Sequence, residues 1–255
     1  MRYSFHPKLV HWISSFLRNR TQAVVVNGVK SYEAPVISGV PQGTVLGPVL
    51  FLVFINDLES DLGTSTVRFF ADDTRISRLI ESSADQNLLQ EDLNKIVAWS
   101  RDNNMMLHEQ KFELLIHKAN PNAVNHFLPF CSDLWSYEVS NSTQIYPTET
   151  LRDLGIIVSS DLCWARHIKS MIDKSRAKAS WILSVFKARD SLTMLTLYKS
   201  HVRSHLEYCC PLWHPSKISD IAAIEGVQRQ FTKRINGYQS LSHWERLYKL
   251  IKSLQ

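Results

Sequence analysis

Two adjacent carboxylates, Asp72 and Asp73, follow Phe69-Phe70-Ala71 at the point where two strand-like runs, 66–71 and 74–79, meet. An apolar strand ending in paired acids at a tight turn can pin divalent cations at the edge of a sheet. Hard ions such as Mg²⁺ prefer carboxylate oxygen and keep several waters that substrate phosphates can replace. Cations so placed serve phosphoryl transfer, by activating an attacking hydroxyl and stabilising a leaving oxygen. Alone, Asp-Asp is also what an ordinary exposed turn uses, because Asp tolerates turn geometry and is well solvated. The pair takes its meaning from the elements around it.

Upstream of the pair, 7–20 reads as a short amphipathic helix with Leu9, Ile13, Phe16 and Leu17 at helical spacing. The runs 21–26 and 30–36 are β-type and flank Asn27-Gly28, a strong hairpin signal. A loop rich in glycine and proline, 38–48, leads into 49–58, which is apolar on nearly every side and is expected to be a helix buried under a sheet. Downstream, 83–106 has helical periodicity, 112–116 is strand-like, 119–150 is polar and irregular with a short strand excursion, and 154–159 returns to strand character. After Trp164 the pattern is helical, over 164–189, 192–208, 218–235 and 241–254. The fold class expected is α+β, with a sheet-bearing domain over 1–163 and an all-helical one over 164–255.

Charge changes at the same place. Residues 164–255 carry 16 Lys+Arg against 6 Asp+Glu, a net of +10, while 1–163 carry 13 against 18, a net of −5. An acidic half suited to metal ions is joined to a basic half suited to a polyanion. The plainer reading is that the basic side chains solvate amphipathic helices. At 255 residues and 44% hydrophobic the chain can bury a sizeable core. It has no run of about 18 apolar residues, and Arg2, His6 and Pro7 stand where a signal peptide has its apolar core. A globular, intracellular protein, cytoplasmic or nuclear and without a membrane span, is the expectation. Cys131, Cys163, Cys209 and Cys210 form no spaced ligand pairs and read as free thiols. Asn141-Ser142-Thr143 matches a glycosylation sequon that has no secretory context.

The order of motifs is more specific than any one of them. The run Ser38-Gly39-Val40-Pro41-Gln42-Gly43-Thr44-Val45-Leu46-Gly47-Pro48, then Leu50-Phe51, Ile55-Asn56-Asp57-Leu58 and Phe70-Ala71-Asp72-Asp73, closely resembles the reverse transcriptases of non-LTR retrotransposons, especially the jockey type. Trp12 to Leu17 with Arg20 resembles the segment before the family's glycine-rich motif. The stretch from Leu93 to Trp99, with Met106, Lys111 and Glu113, resembles its helix and lysine motif, with His108 where the family usually has asparagine. Asp153-Leu154-Gly155 with Trp164 and His167 is similar to the primer-grip region. Tyr198-Lys199, Leu206-Glu207-Tyr208, Trp213, Pro215 and Glu225 to Arg229 are similar to the thumb.

That resemblance implies a partial polymerase palm, an antiparallel sheet with packed helices, followed by an all-α thumb. It implies metal ligation by Asp72 and Asp73, with Asp72 the stronger ligand, for Mg²⁺ or Mn²⁺. Gln42, Gly43, Phe70 and Ala71 would border the template and incoming nucleotide, and Lys111 would lie near its phosphates as a point charge or proton donor. Lys169, Lys174, Arg176 and Lys178 would grip the backbone of an RNA template and DNA primer, with dNTP as the other substrate.

One family motif is absent. The earlier palm strand resembling Asp-Phe-Ser-Lys-Ala-Phe-Asp has no counterpart, and no Asp precedes Asp57. The expectation is a truncated RNA-directed DNA polymerase domain with weakened metal binding and little or no activity as given. The alternatives are a non-catalytic nucleic-acid-binding protein derived from it and an interaction fragment without a stable fold of its own.

Overall fold

The computed structural model describes residues 4–63, 65–117, 136–140 and 143–252. Expectations for Cys131, for Asn141-Ser142 and for 119–135 lie outside those residues. The described residues fall into two compact units, one within Met1–Phe112 and Asn125–Tyr146, the other within Glu113–Val124 and Pro147–Gln255.

The first unit opens with α1 (Pro7–Leu17), started by Pro7 and by the His6 ring accepting from the Lys8 N–H. Then come β1 (Thr21–Gln22), β2 (Val25–Val26), β3 (Val29–Lys30) and β4 (Ala34–Pro35). β2 and β3 pair across Asn27 and Gly28, whose φ values of 50° and 81° are what a two-residue hairpin turn of this kind requires, and β1 pairs with β4. Next are α2 (Leu46–Ile55), β5 (Thr66–Phe70), β6 (Asp73–Ser77) and α3 (Ser83–Asp102). α3 is started by a capping box in which Ser82 and Asp85 satisfy each other's backbone N–H groups.

The core of this unit is the cluster of Ile55, Leu58, Ile96 and Trp99, with Phe69 and Ile76 of the hairpin packed against it. The Trp99 indole N–H donates to Asp57 at 3.0 Å, tying α3 to the end of α2. The expected burial of α2 under a sheet is not what forms: Val49 and Leu52 are 53% and 54% exposed. A helix apolar on all sides needs cover on two faces. Here the hairpin and α3 cover one, and among the described residues every sheet has two strands.

Asp92, on α3, is 2% exposed and holds the chain just before β5. Its carboxylate accepts from the backbone N–H groups of Gly63 and Ser65 and from Lys95. Burial pushes its pKa up, but the Ser65 side chain, Lys95 and the two backbone donors outweigh that and hold it at about 2. A carboxyl lowered from 3.8 stabilises the fold above about pH 4, and the contribution fades as pH falls toward 2. Urea unfolding of Asp92→Asn against the parent should therefore show a difference on the order of 2 kcal/mol at pH 6 that shrinks steadily between pH 4 and 2. A pH-independent difference would contradict the assignment.

In the second unit β7 (Leu114–Leu115) pairs in parallel with β10 (Pro147–Thr148), while β8 (Tyr137–Ser140) and β9 (Thr143–Ile145) pair in the first. β11 (Thr150–Asp153) and β12 (Ile156–Ser159) form a hairpin turning at Leu154 (φ 46°) and Gly155 (φ 87°). The sequence reading had a strand begin at Leu154, which is instead the turn. α4 (Ala165–Val185), α5 (Ser191–Leu197), α6 (Ser204–Glu207), α7 (Cys210–Trp213), α8 (Ile218–Thr232) and α9 (His243–Lys252) follow. The helix expected over 192–208 forms as one uninterrupted helical run from Ser191 to Glu207, widened to a π-type stretch at Tyr198–Arg203. Ser200 and Ser204 bond back to the carbonyls of Thr196 and Ser200, the competition with the helical ladder that such a stretch exploits. The core is built on Ile182, Met194, Val202, Trp213, Phe231 and Ile235, each 1% exposed or less. The described cysteines, Cys163, Cys209 and Cys210, are free thiols.

Candidate functional site

Alternation along β5 sets the hairpin that carries the acids. Val67 and Phe69 turn inward, and Arg68 and Phe70 turn outward. The register pairs Phe70 with Asp73, so Ala71 and Asp72 form the two-residue turn. Ala71 takes φ 53°, a left-handed conformation costly for a residue with a Cβ and one that concentrates at functional turns. Asp72 and Asp73 are exposed at the tip, and Phe70 beside them is 64% exposed. Two carboxylates fit a hard divalent cation in donor type, since Mg²⁺ is commonly held by one or two protein carboxylates together with substrate phosphates. Among the described residues no group of three or more His, Cys, Asp or Glu side chains could hold a metal ion.

The glycine-rich loop is closed by its own residues. The Thr44 hydroxyl donates to the Pro41 carbonyl at 2.7 Å and accepts from the Gly47 N–H at 3.1 Å. A Cβ on Gly47 would come within 2.6 Å of the Pro41 oxygen, so only glycine fits where α2 starts. Gly43 has φ 76° but open space around it, and Gln42 and Gly43 are exposed at the crest of the loop. Gly47→Ala is thus expected to lower stability by about 1–3 kcal/mol through a backbone shift, and Gly43→Ala by about 1–2 kcal/mol through φ alone. Urea denaturation checks both; a Gly47→Ala protein as stable as the parent would contradict the close-approach argument.

Loop, hairpin and lysine motif rest on one cluster. Phe51 of α2, Phe69 and Ile76 of the hairpin, and Met105 and Leu107 before Lys111 all pack against it. Lys111 ends the short turn Glu109–Lys111 and is exposed. The four basic residues named from the sequence lie on α4 in the second unit, all exposed. They do not form one stripe. At 100° per residue, Lys169 and Arg176 lie along one border of the helix's buried face and Lys174 and Lys178 along the other. Lys178 sits 6.0 Å from the exposed Trp181 ring.

Lys174 is instead brought toward Arg152 of β11 and the buried His167 of α4, lining one cavity with Gly155 and Tyr208. Sequence reasoning does not single out Arg152, because 151–153 falls between the irregular stretch 119–150 and the strand expected over 154–159 and is given no element of its own. The Thr-Leu-Arg-Asp alternation ahead of Leu154-Gly155 was the signal available.

The sequence pattern of the family described as "Reverse transcriptase (RNA-dependent DNA polymerase)" matches residues 2–159. The chain belongs to the reverse transcriptase family. Relatives of this reverse transcriptase chain include the "RNA-directed DNA polymerase from mobile element jockey" of Drosophila melanogaster, 29% identical over 91% of the chain and 25% of that protein. The "Probable RNA-directed DNA polymerase from transposon X-element" of the same species is 25% identical over 88% of the chain and 24% of its own length. The jockey polymerase of Drosophila funebris is 26% identical over 91% of the chain and 25% of its length. These agree with the non-LTR resemblance drawn from the motifs. The chain spans about a quarter of the length of the relatives it matches. No solved structure matches it. Among the described residues, no helix of this reverse transcriptase chain is long and apolar enough to cross a membrane.

Proposed function

We propose that this chain is the part of an RNA-directed DNA polymerase of a mobile element that holds metal at Asp72 and Asp73 and holds template and primer on basic helices. The observation that carries it is the paired acids at the tip of a hairpin, Asp72 on the two-residue turn beside left-handed Ala71 and Asp73 next to it, in a chain whose residues 2–159 match the family. Residues 1–163 would serve as a partial palm and 164–255 as a thumb. When bound, Mg²⁺ or Mn²⁺ would activate the primer hydroxyl and stabilise the leaving oxygen of dNTP. Asp72 and Asp73 orient the ions, Gln42 and Gly43 bound the nucleotide's side of the site, and Lys111 supplies a positive charge toward phosphate. Lys169, Lys174, Arg176 and Lys178 contact backbone phosphates without reading sequence.

Within these 255 residues no Asp precedes Asp57, and Asp57 is engaged by Trp99. We therefore assign the chain by itself template-primer binding with little incorporation, which makes a non-catalytic nucleic-acid-binding role the second reading. Primer extension on an RNA template by the chain joined to a preceding strand that carries one more aspartate decides between them: incorporation that disappears in Asp72→Ala favours the polymerase, and binding without incorporation in that joined protein favours the second.

A further inference from the structure

The corner between α6 and α7 carries two thiols and a histidine. Cys209 is exposed and Cys210 half-buried, both are free thiols, and His214 is exposed four residues on. The Sγ of Cys210 lies 3.8 Å from Nδ1 of His214, within hydrogen-bond reach for sulfur. In one tautomer Nδ1 accepts from the thiol and can take its proton as the sulfur attacks. In the other tautomer Nδ1–H donates to the sulfur and favours a thiolate. Both arrangements make Cys210 a nucleophile, since the thiolate is the reactive form. Glu207, the acid nearest in sequence, is held by Arg203 at 2.6 Å.

The corner is held in place by its own ends. Trp213, 1% exposed, donates its indole N–H to the Tyr208 carbonyl at 2.8 Å, and the Leu212 N–H donates to the Cys209 carbonyl at 3.0 Å. Thiols and imidazole are thus presented on a loop closed over a buried anchor, not on a free tail.

Cys209 supplies a second thiol beside the first. It takes φ 54°, the left-handed region that costs a residue with a Cβ, so the corner holds this sulfur at the surface at some expense. A thiol that reacts with peroxide and has a second thiol next to it can pass its oxidation on as a disulfide. Adjacent residues on a trans peptide have Cα atoms about 3.8 Å apart, against the roughly 4.4–6.8 Å that disulfides usually span. A ring closed here is therefore strained and easily reduced, which makes the reaction reversible.

We propose that Cys209 and Cys210 form a hydroperoxide-responsive dithiol, in which Cys210, assisted by His214, is oxidised and Cys209 closes a vicinal disulfide. The Cys210 sulfur attacks one oxygen of the hydroperoxide and the O–O bond breaks. The thiol proton leaves with the departing oxygen as water or an alcohol, so that sulfur gives up the two electrons that the peroxide gains. The Cys209 thiol then attacks the sulfenic sulfur, the S–S bond forms, and the hydroxyl leaves with the Cys209 proton as water. This chemistry is independent of the metal-holding reading of Asp72 and Asp73.

The test treats the full chain with hydrogen peroxide, blocks remaining thiols with iodoacetamide, and weighs the tryptic peptide 204–217, which contains both cysteines. It should lose two hydrogens and take no alkyl group, while Cys163, also exposed, is still alkylated at the same dose. Dithiothreitol should restore both thiols. Cys209→Ser should stop the reaction at a Cys210 sulfenic acid that dimedone captures. His214→Asn, a surface change that spares the core, should slow the oxidation at least about tenfold. Two alkylated cysteines in the peptide after peroxide overturn the proposal. So does oxidation of Cys163 at the same rate, or a rate unchanged in His214→Asn.

Discussion

Primer extension on an RNA template with Mg²⁺ or Mn²⁺ is expected to give at least about a hundredfold less product from the 255-residue chain than from the same chain joined to a preceding strand that carries one more aspartate. The estimate follows from how metal-dependent phosphoryl transfer fails. Converging carboxylates fix both ions, and an error of about 1 Å in the position of a reacting group already costs on the order of a hundredfold. The chain presents two such groups, at one hairpin tip. In the joined form Asp72→Ala should remove incorporation, and Asp73→Ala should lower it less, because Asp72 is the residue on the turn itself. Equal activity with and without the added strand would show that Asp72 and Asp73 suffice. A joined protein that folds but stays inactive would remove the polymerase reading.

The second large effect is on salt dependence. A protein that neutralises phosphates loses affinity with salt at a log–log slope of about 0.9 per contact on duplex DNA. Replacing Lys169, Lys174, Arg176 and Lys178 by Gln together should reduce the slope on an RNA–DNA hybrid by up to about 4, and at low salt should weaken binding most. Because α4 separates these residues into two borders, the pairs are distinguishable. If one border faces the strand, removing that pair gives a slope change of about 2 and removing the other gives none. Fluorescence anisotropy across a salt series measures it, and a slope unchanged in the fourfold variant would show that these residues only solvate the helix. Asp72→Ala should leave the slope as it was.

What the sequence made legible was local. Asn27-Gly28 forms a two-residue hairpin turn as read, and the second hairpin turns one residue earlier than Asp72-Asp73 suggests, at Ala71-Asp72 with Asp73 opening β6; turn chemistry depends on a few neighbouring residues. The long helices were readable from periodicity, which a buried face such as Ile168, Met171, Ile172, Ser175, Ala179 and Ile182 imposes directly. What depended on distant partners was not readable. The apolar run at α2 predicted burial, but burial needs cover, and Val49 and Leu52 lie open. The π-type widening at Tyr198–Arg203, where Ser200 and Ser204 bond to carbonyls four residues back, leaves the helical periodicity intact and so leaves no mark in the sequence pattern. The cavity of Arg152, His167 and Lys174 was invisible because it joins a helix to a strand to which the sequence reading gave no element. Lys174 had been grouped with Lys178 by charge, whereas packing gives it different company.

The most direct measurement is of metal at the hairpin tip. Mn²⁺ added to ¹⁵N-labelled protein in the presence of dNTP should broaden the backbone signals of Ala71, Asp72 and Asp73 first, and the broadening should vanish in Asp72→Ala. Broadening centred elsewhere, or unaffected by that substitution, would contradict a metal-holding role for these two acids.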